Sequence, residues 1–194
     1  MVVGLDLFIQ HFEALSDEFV NHFWQFINDG EYTISQVGDK KQFYRFIKPQ
    51  AEGFPKMIEL FCRKPDLIKE VEGMHLTDIP TGEEVSSLSA ILLDDEYYQF
   101  ALTNTQLING LHIANEYALI CLKVRAFLNN SKRKAEGQEV KSEEIAKHKN
   151  DVIRLIATLL PNNVVLIPDT IKQELKEYIS IIRLENPDIK QLLK

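Results

Sequence analysis

Residues 57–62 read MIELFC, and residues 2–9 read VVGLDLFI. Both stretches are apolar and short, which is typical of buried strands. Each holds one carboxylate, Glu59 in the first and Asp6 in the second. A charged group in a buried strand is costly unless it is paired or binds a metal. We therefore expect the two acids either to belong to a site or to point outward from a solvated face of the sheet.

The rest of the first 80 residues is also rich in strand patterns. The spacing of Phe19, Phe23 and Ile27 predicts one helix, with Ser16 as its N-cap and Gly30 just after its end. Further strands are predicted at residues 42–48, 56–63 and 74–79. The first part of the chain therefore resembles a sheet with a helix packed on it.

The remainder of the chain is predicted to be mostly helical. Residues 81–84, TGEE, resemble a capping box that opens a helix. The predicted helices cover residues 81–100, 116–128, 143–160 and 169–182, with a short one after residue 187. This pattern predicts an α+β fold, with an α+β core at residues 1–82 and a helical region at residues 83–194 packed on it.

Composition and charge exclude several classes of protein. The 194 residues are 45% hydrophobic and 26% charged, which is ordinary for a folded globular protein. A formal charge of −7 argues against a protein that coats DNA. Asp6 interrupts the first apolar run, and no stretch approaches the roughly 20 apolar residues of a membrane span. Cys62 and Cys121 lie in apolar runs, so we expect reduced core cysteines and a cytoplasmic protein.

One segment departs from the acidic average. Between Cys121 and Arg154, nine Lys and Arg residues stand against five acids. Such a segment can bind phosphate groups, or it can be a solvated loop flanked by two amphipathic helices. Lys123 differs from its neighbours because it lies in the apolar run ALICLKVRAFL, where its amine reaches either a cleft or the surface. The sequence has no Walker loop, dinucleotide fingerprint, nucleophile elbow or zinc spacing of histidines.

Several blocks of the sequence occur in an order that is similar to that of a known family. They are LDLFIQHFEALSDEFVNHFWQFINDGEY, FYRFIKP, FPKMIELFCR, EGMHLTDIP, EEVSSLSAILLDDEYY, LKVRAFL and KHKNDVIRL. Together they resemble the nucleotidyltransferase-like AbiEii/AbiGii toxin family over about the first 160 residues of the chain. The resemblance implies a DNA-polymerase-β-like nucleotidyltransferase core, made of a mixed sheet with helices, followed by a helical C-terminal part.

The resemblance also implies an activity and a set of site residues. Such proteins transfer a nucleotide from an NTP, with Mg²⁺, to an acceptor such as tRNA, and they act as toxins beside an antitoxin or in phage defence. Asp6 matches the second acid of the family's Asp-x-Asp motif. Glu59 matches a third acid, which the family carries on a neighbouring strand, so both would be catalytic metal ligands. Lys123 matches a helical lysine for the nucleotide. Lys149 and Asp151 match the last motif, as a phosphate-binding lysine and a catalytic base.

The sequence departs from the family pattern at its start. Gly4 stands where the first acid of the Asp-x-Asp motif is expected, and the Gly-rich turn that would precede it is missing because the sequence begins at Met1. The resemblance therefore implies a shortened enzyme that is either still active or inactive through the truncation. The alternative is a non-catalytic interaction module that retains the fold and binds a protein partner or RNA.

Overall fold

A computed structural model describes residues 5–9, 17–37, 40–63, 76–79, 88–108, 111–162 and 164–193. The chain divides into two units, Met1–Asp95 and Glu96–Lys194. Strands and helices are both present, as the predicted α+β class requires. Each unit is described by itself below.

The first unit contains a mixed sheet. Its elements are β1 (Leu5–Ile9), α1 (Asp17–Asp29), β2 (Thr33–Val37), β3 (Lys40–Ile47), β4 (Met57–Arg63), β5 (Leu76–Ile79) and β6 (Leu88–Leu93). The strand order is β2-β3-β4-β6-β5, and β1 also pairs with β4. The β1–β4 and β4–β6 pairs are parallel, and the other pairs are antiparallel. β4 is therefore the strand with the most neighbours in the described sheet.

Helix α1 packs its apolar face on this sheet. Val20, Phe23 and Ile27 recur at helical spacing and are all buried, which explains why this segment is a helix with one core-facing stripe. The ring centroids of Phe23 and Trp24 lie 5.4 and 5.6 Å from that of Phe46 on β3, and both pairs are edge to face. The predicted helix is confirmed, while its predicted N-cap Ser16 lies outside the described residues.

The predicted strand at residues 56–63 is confirmed as β4, and its side chains alternate between two faces. Ile58 and Leu60 have no exposed surface and face the core, while Glu59 lies on the other side of the strand. Burial of these two side chains fixes the register of β4, because a slip of one residue would put Glu59 into the core.

One predicted helix is wrong in part. Residues 88–93, LSAILL, form strand β6 between β4 and β5 instead of belonging to a helix that starts at residue 81. A short apolar run has no periodicity that separates a strand from a buried helix, and here pairing with β4 and β5 decides. The first unit consequently ends at Asp95, beyond the boundary predicted at residue 82. The predicted capping box at residues 81–84 lies outside the described residues.

The second unit is mostly helical. Its elements are α2 (Asp95–Thr103), β7 (Thr105–Ile108), β8 (Leu111–Ala114), α3 (Glu116–Ala135), α4 (Ser142–Ile156), α5 (Asp169–Glu185) and α6 (Ile189–Leu192). The β7–β8 hairpin was not predicted from the sequence. Within the described residues, the core of α3, α4 and α5 is formed by Ile120, Val124, Phe127, Val152 and Tyr178.

The two ends of helix α3 are stabilised by different interactions. At its start, the Asn115 side chain accepts hydrogen bonds from the backbone N–H groups of Tyr117 and Ala118, as an N-cap does. At its end, the basic residues Lys132 to Lys134 lie in the last helical turn, where cations interact favourably with the helix dipole. Helix α3 therefore continues to Ala135, beyond the end predicted at residue 128.

None of the described helices is both long enough and apolar enough to cross a membrane.

Candidate functional site

The two predicted acids occupy paired positions in the sheet. In the parallel β1–β4 ladder, Asp6 is the partner of Glu59. Paired residues of neighbouring strands stand on the same face of a sheet. The backbone therefore brings two acid positions, 53 residues apart in sequence, to adjacent places on the face opposite Ile58 and Leu60.

Glu59 has a partner that the sequence analysis missed. Its carboxylate Oε1 accepts a hydrogen bond of 2.6 Å from Nε of Arg45, whose strand β3 pairs Arg45 with Glu59. The Glu59 side chain is 13% exposed and that of Arg45 is 36% exposed. A carboxylate this shielded needs such a partner. The row Arg45, Glu59 and Asp6 therefore crosses three strands with one basic position followed by two acidic ones.

Two acid positions at paired places of a sheet are an arrangement that could hold a magnesium ion. Mg²⁺ commonly takes one or two protein carboxylates and completes its octahedron with water and substrate phosphates. Asp6 and Glu59 are two acid positions at paired places of β1 and β4. No group of three or more His, Cys, Asp and Glu residues able to hold a metal exists within the part of the chain that the structure describes.

Lys123 and Asp151 meet in the second unit. Nζ of Lys123, on α3, lies 2.8 Å from Oδ2 of Asp151, on α4, and the two side chains are 28% and 22% exposed. Arg154, one turn further along α4, approaches the other oxygen of Asp151 at 3.6 Å. Arg154 was not predicted, although its i+3 spacing from Asp151 on a helix is the signal that indicates it.

Lys149 contacts α5 instead of the Lys123–Asp151 pair. Its Nζ lies 2.6 Å from Oε2 of Glu185 on α5, and its backbone carbonyl accepts a hydrogen bond of 2.8 Å from the Tyr178 hydroxyl. Lys149 thus ties α4 to α5, while Asp151, two residues on, faces α3. The structure brings together two of the three residues predicted in this segment, and it gives the third a different partner.

His148 lies beside the Lys123–Asp151 pair. Burial lowers the pKa of its imidazole, and the ammonium groups of Lys123 and Lys147 lower it further, while Asp151 and Glu144 act in the opposite direction. Its Nδ1 is buried without a hydrogen-bond partner among the described residues. The imidazole is therefore held neutral at the edge of a charged cluster.

A groove opens beside this cluster. Lys123, Asp151, Arg154, Leu155 and Thr158 line a cavity of about 270 Å³. A second cavity, of about 350 Å³, shares Leu155 and Thr158 with the first and continues between α3, α4 and the β7–β8 hairpin. The charged pair therefore stands at one end of an open groove.

The predicted core cysteine of this unit is confirmed. Cys121 is a free thiol and is 2% exposed, and burial raises its pKa to about 12. A thiol in such surroundings is not nucleophilic, so it has no place in the candidate chemistry. The side chain of Cys62 lies outside the described part of the chain.

No protein-family model, curated protein or solved structure is similar enough to this chain to count as a match. Function therefore has to be inferred from the chemistry of the two groups of residues.

Proposed function

We propose that this protein is a nucleotidyltransferase of the AbiEii type. It transfers a nucleotide from an NTP to the hydroxyl of an acceptor such as tRNA, as a toxin beside an antitoxin or in phage defence. The proposal assigns the protein to the cytoplasm, where NTPs and tRNA are found. In this proposal Asp6 and Glu59 hold Mg²⁺, Lys123 binds phosphate and Asp151 is the base. Lys149, predicted as a second phosphate ligand, pairs with Glu185 instead.

The register of β1 and β4 is the observation that supports this proposal most. Metal-dependent phosphoryl chemistry needs carboxylates gathered from separate parts of the chain. A parallel pair of apolar strands that matches Asp6 with Glu59 provides that gathering. An acid in an apolar strand has a structural cost. Arg45 offsets that cost for Glu59, and a bound metal would offset it further.

The magnesium ion, when bound, neutralises charge on the NTP phosphates. The side chain of Glu59 must then serve two cations, because Arg45 already donates to its Oε1. A carboxylate has two oxygens with about four lone-pair directions, so Glu59 could help to hold the metal while Arg45 donates to its Oε1. Arg45 and the metal would thus compete for the negative charge of Glu59.

The chemical step moves one proton and exchanges one bond. The acceptor oxygen forms a bond to the α-phosphorus of the NTP, and the bond from that phosphorus to the bridging oxygen breaks. Pyrophosphate leaves with the electron pair, and the acceptor proton goes to the carboxylate of Asp151. Lys123 contacts Asp151 at 2.8 Å before the substrate arrives, so phosphate binding by Lys123 would release the carboxylate for this role.

The proposal is tested by incubating the protein with labelled NTPs, Mg²⁺ and tRNA. We expect label in the tRNA, and we expect Glu59→Gln to reduce transfer by a hundredfold or more, because losing a metal ligand removes most of the charge stabilisation. Glu52→Gln is the matched control, since Glu52 is an exposed loop residue of the same unit. If no NTP gives transfer, or if Glu59→Gln transfers as well as the unchanged protein, the enzymatic proposal is wrong.

A second proposal, an interaction module without catalysis, also has a specific observation in its favour. The segment after α4 exposes large apolar side chains, with Leu160 at 68%, Val164 at 91% and Leu166 at 93% exposed. Contiguous exposed apolar surface is typical of protein-binding sites. Light scattering during size exclusion tests it: a monomer at all concentrations that captures no partner would contradict the interaction module.

A further inference from the structure

Helix α4 is held from two sides within the second unit. On one side, Asp151 contacts Lys123 of α3 at 2.8 Å. On the other side, α5 contacts Lys149, two residues before Asp151. The Tyr178 hydroxyl donates to the backbone carbonyl of Lys149 at 2.8 Å, and Oε2 of Glu185 lies 2.6 Å from the Lys149 ammonium. We call these two interactions the α5 contacts.

Tyr178 also contacts the helix that carries Lys123. Its ring centroid lies 5.4 Å from that of Phe127, edge to face, and Phe127 is one turn along α3 from Lys123. The Tyr178 side chain is 2% exposed and belongs to the core of α3, α4 and α5. An aromatic side chain with only two torsion angles is rigid. One rigid group therefore contacts both helices close to the residues that form the ion pair.

The acceptor of the Tyr178 hydrogen bond is backbone. A bond to a side chain can follow a change of rotamer, whereas a bond to a helix carbonyl depends on the position and rotation of the helix. The Lys149 carbonyl has two lone pairs, so it can accept from Tyr178 and from the next turn of α4. A buried hydroxyl without a partner is costly, and a rotation of α4 that breaks this bond is therefore disfavoured.

The position of Lys149 also sets the direction of Asp151. Two residues along a helix correspond to a turn of about 200°, so a helix that presents Lys149 to α5 presents Asp151 to the opposite side, where α3 lies. Apolar packing of the buried Val152 defines this direction less well, because the hydrophobic effect is non-directional and hydrogen bonds are directional.

We propose that Tyr178 is a positioning residue for Asp151. Through the α5 contacts, it holds α4 at the rotation at which the Asp151 carboxylate meets Lys123. The inference rests on the proposed function because that function makes Asp151 the base, while the positioning of the ion pair can be measured without any substrate. Proton transfer needs close alignment of the base, so this positioning contributes to the chemical step.

A double-mutant cycle measures the positioning. Lys123→Met and Asp151→Asn, singly and together, give the coupling between the two side chains from urea unfolding. The cycle is run in the unchanged protein and again with Tyr178→Phe, which removes one hydroxyl and keeps the ring in the core. We expect the coupling to fall by about half or more. A tyrosine with a purely structural role would lower the stability of all four proteins equally and leave the coupling unchanged.

Tyr97→Phe is the matched control. Tyr97 is 1% exposed, and its hydroxyl connects α2 to α5 by donating to Glu174. The substitution removes a comparable buried hydrogen bond whose acceptor is not on α4. It should destabilise the protein and leave the coupling unchanged, and an equal loss of coupling in Tyr97→Phe and Tyr178→Phe would overturn the inference.

Glu185→Gln provides a second variant, which decides the question if Tyr178→Phe does not fold. Glu185 is 41% exposed, so the loss of its charge leaves the core intact and weakens the other α5 contact. We expect the coupling between Lys123 and Asp151 to fall here too. An unchanged coupling in this variant, with Tyr178→Phe unfolded, would contradict the inference.

The transfer assay adds a readout for the base. Tyr178→Phe should lower kcat by about tenfold and change KM for the NTP by less than about threefold, because a small misplacement of a reacting group affects the chemical step. A coupling that is absent from the unchanged protein, or equal in folded Tyr178→Phe, overturns the inference. Transfer with an equal kcat in Tyr178→Phe removes the inference and leaves the proposed function. A fall in coupling without any transfer removes the enzymatic function and leaves Tyr178 as the positioning residue of an ion pair.

Discussion

Replacing Arg45 with methionine separates the structural role of Glu59 from its proposed metal role. Arg45 donates to Glu59 at 2.6 Å and is the partner of that carboxylate across β3 and β4. Methionine keeps an apolar stem beside the Tyr44 ring, over which the guanidinium lies at 5.5 Å. The substitution therefore removes the charge and the hydrogen bond with little change in packing.

Two effects of opposite sign are expected. A hydrogen bond to a charged group contributes about 1.5–3 kcal/mol, and partial exposure of Arg45, at 36%, places the loss of unfolding free energy near the lower value. Mg²⁺ affinity should increase, because a neighbouring cation repels the metal and competes for the carboxylate. We expect about a tenfold lower Kd, which corresponds to about 1.4 kcal/mol.

Urea unfolding measures the first effect, and calorimetric titration with Mg²⁺ measures the second. Lys56→Met is the control, since Lys56 is an exposed cation of the same unit, and it should change neither quantity by much. An Arg45→Met protein that binds Mg²⁺ no better than the unchanged protein would refute the view that Arg45 and the metal share Glu59. Binding that persists equally in Glu59→Gln would refute the metal site itself.

Three further results are expected. Gly30→Ala should lower the unfolding free energy, measured in urea, by roughly 1–3 kcal/mol, because the added Cβ would lie 2.8 Å from the Phe54 ring. Gly137→Ala is the comparison, since its added Cβ meets open space and its only cost is the backbone strain of a φ of 82°. Cys121 should resist Ellman's reagent until the protein unfolds, since burial raises the pKa of its thiol to about 12. Modification of Cys121 in the folded protein, detected by mass spectrometry, would contradict this prediction. Burial lowers the pKa of His148 below its ordinary 6.5, so the unfolded chain binds the proton more readily and stability is lost as pH falls below about 6.5. His148→Phe should flatten that dependence, and an unchanged pH profile would contradict the assignment.

Elements whose pattern is set by one dominant interaction were predicted from the sequence. β4 alternates because one of its faces is wholly buried, with Ile58 and Leu60 at 0% exposure. α3 shows its helical period because Val124 and Phe127 pack into a core and because Asn115 caps its first turn. In these cases, burial and capping act on neighbouring residues, so the sequence contains the whole signal.

Elements that depend on distant pairing were missed. LSAILL becomes strand β6 only because β4 and β5 lie on its two sides, and nothing within residues 88–93 distinguishes this from a buried helix. The β7–β8 hairpin has the same cause, since its strands are four residues each and are stabilised by pairing with each other. Tertiary context, and not intrinsic propensity, decides such short runs.

The same distinction governs the candidate site. The sequence could indicate that a carboxylate in an apolar strand needs a partner, but identifying Arg45 requires the antiparallel register of β3 and β4. Lys123 and Asp151 are 28 residues apart and meet only because α3 and α4 pack along their apolar stripes. Lys149, by the same packing, is directed to Glu185 on α5. Consecutive helical residues point about 100° apart, so one orientation of α4 cannot bring both Lys149 and Asp151 to Lys123. The helix therefore separates the last predicted motif: Asp151 pairs with Lys123, and Lys149 connects α4 to α5.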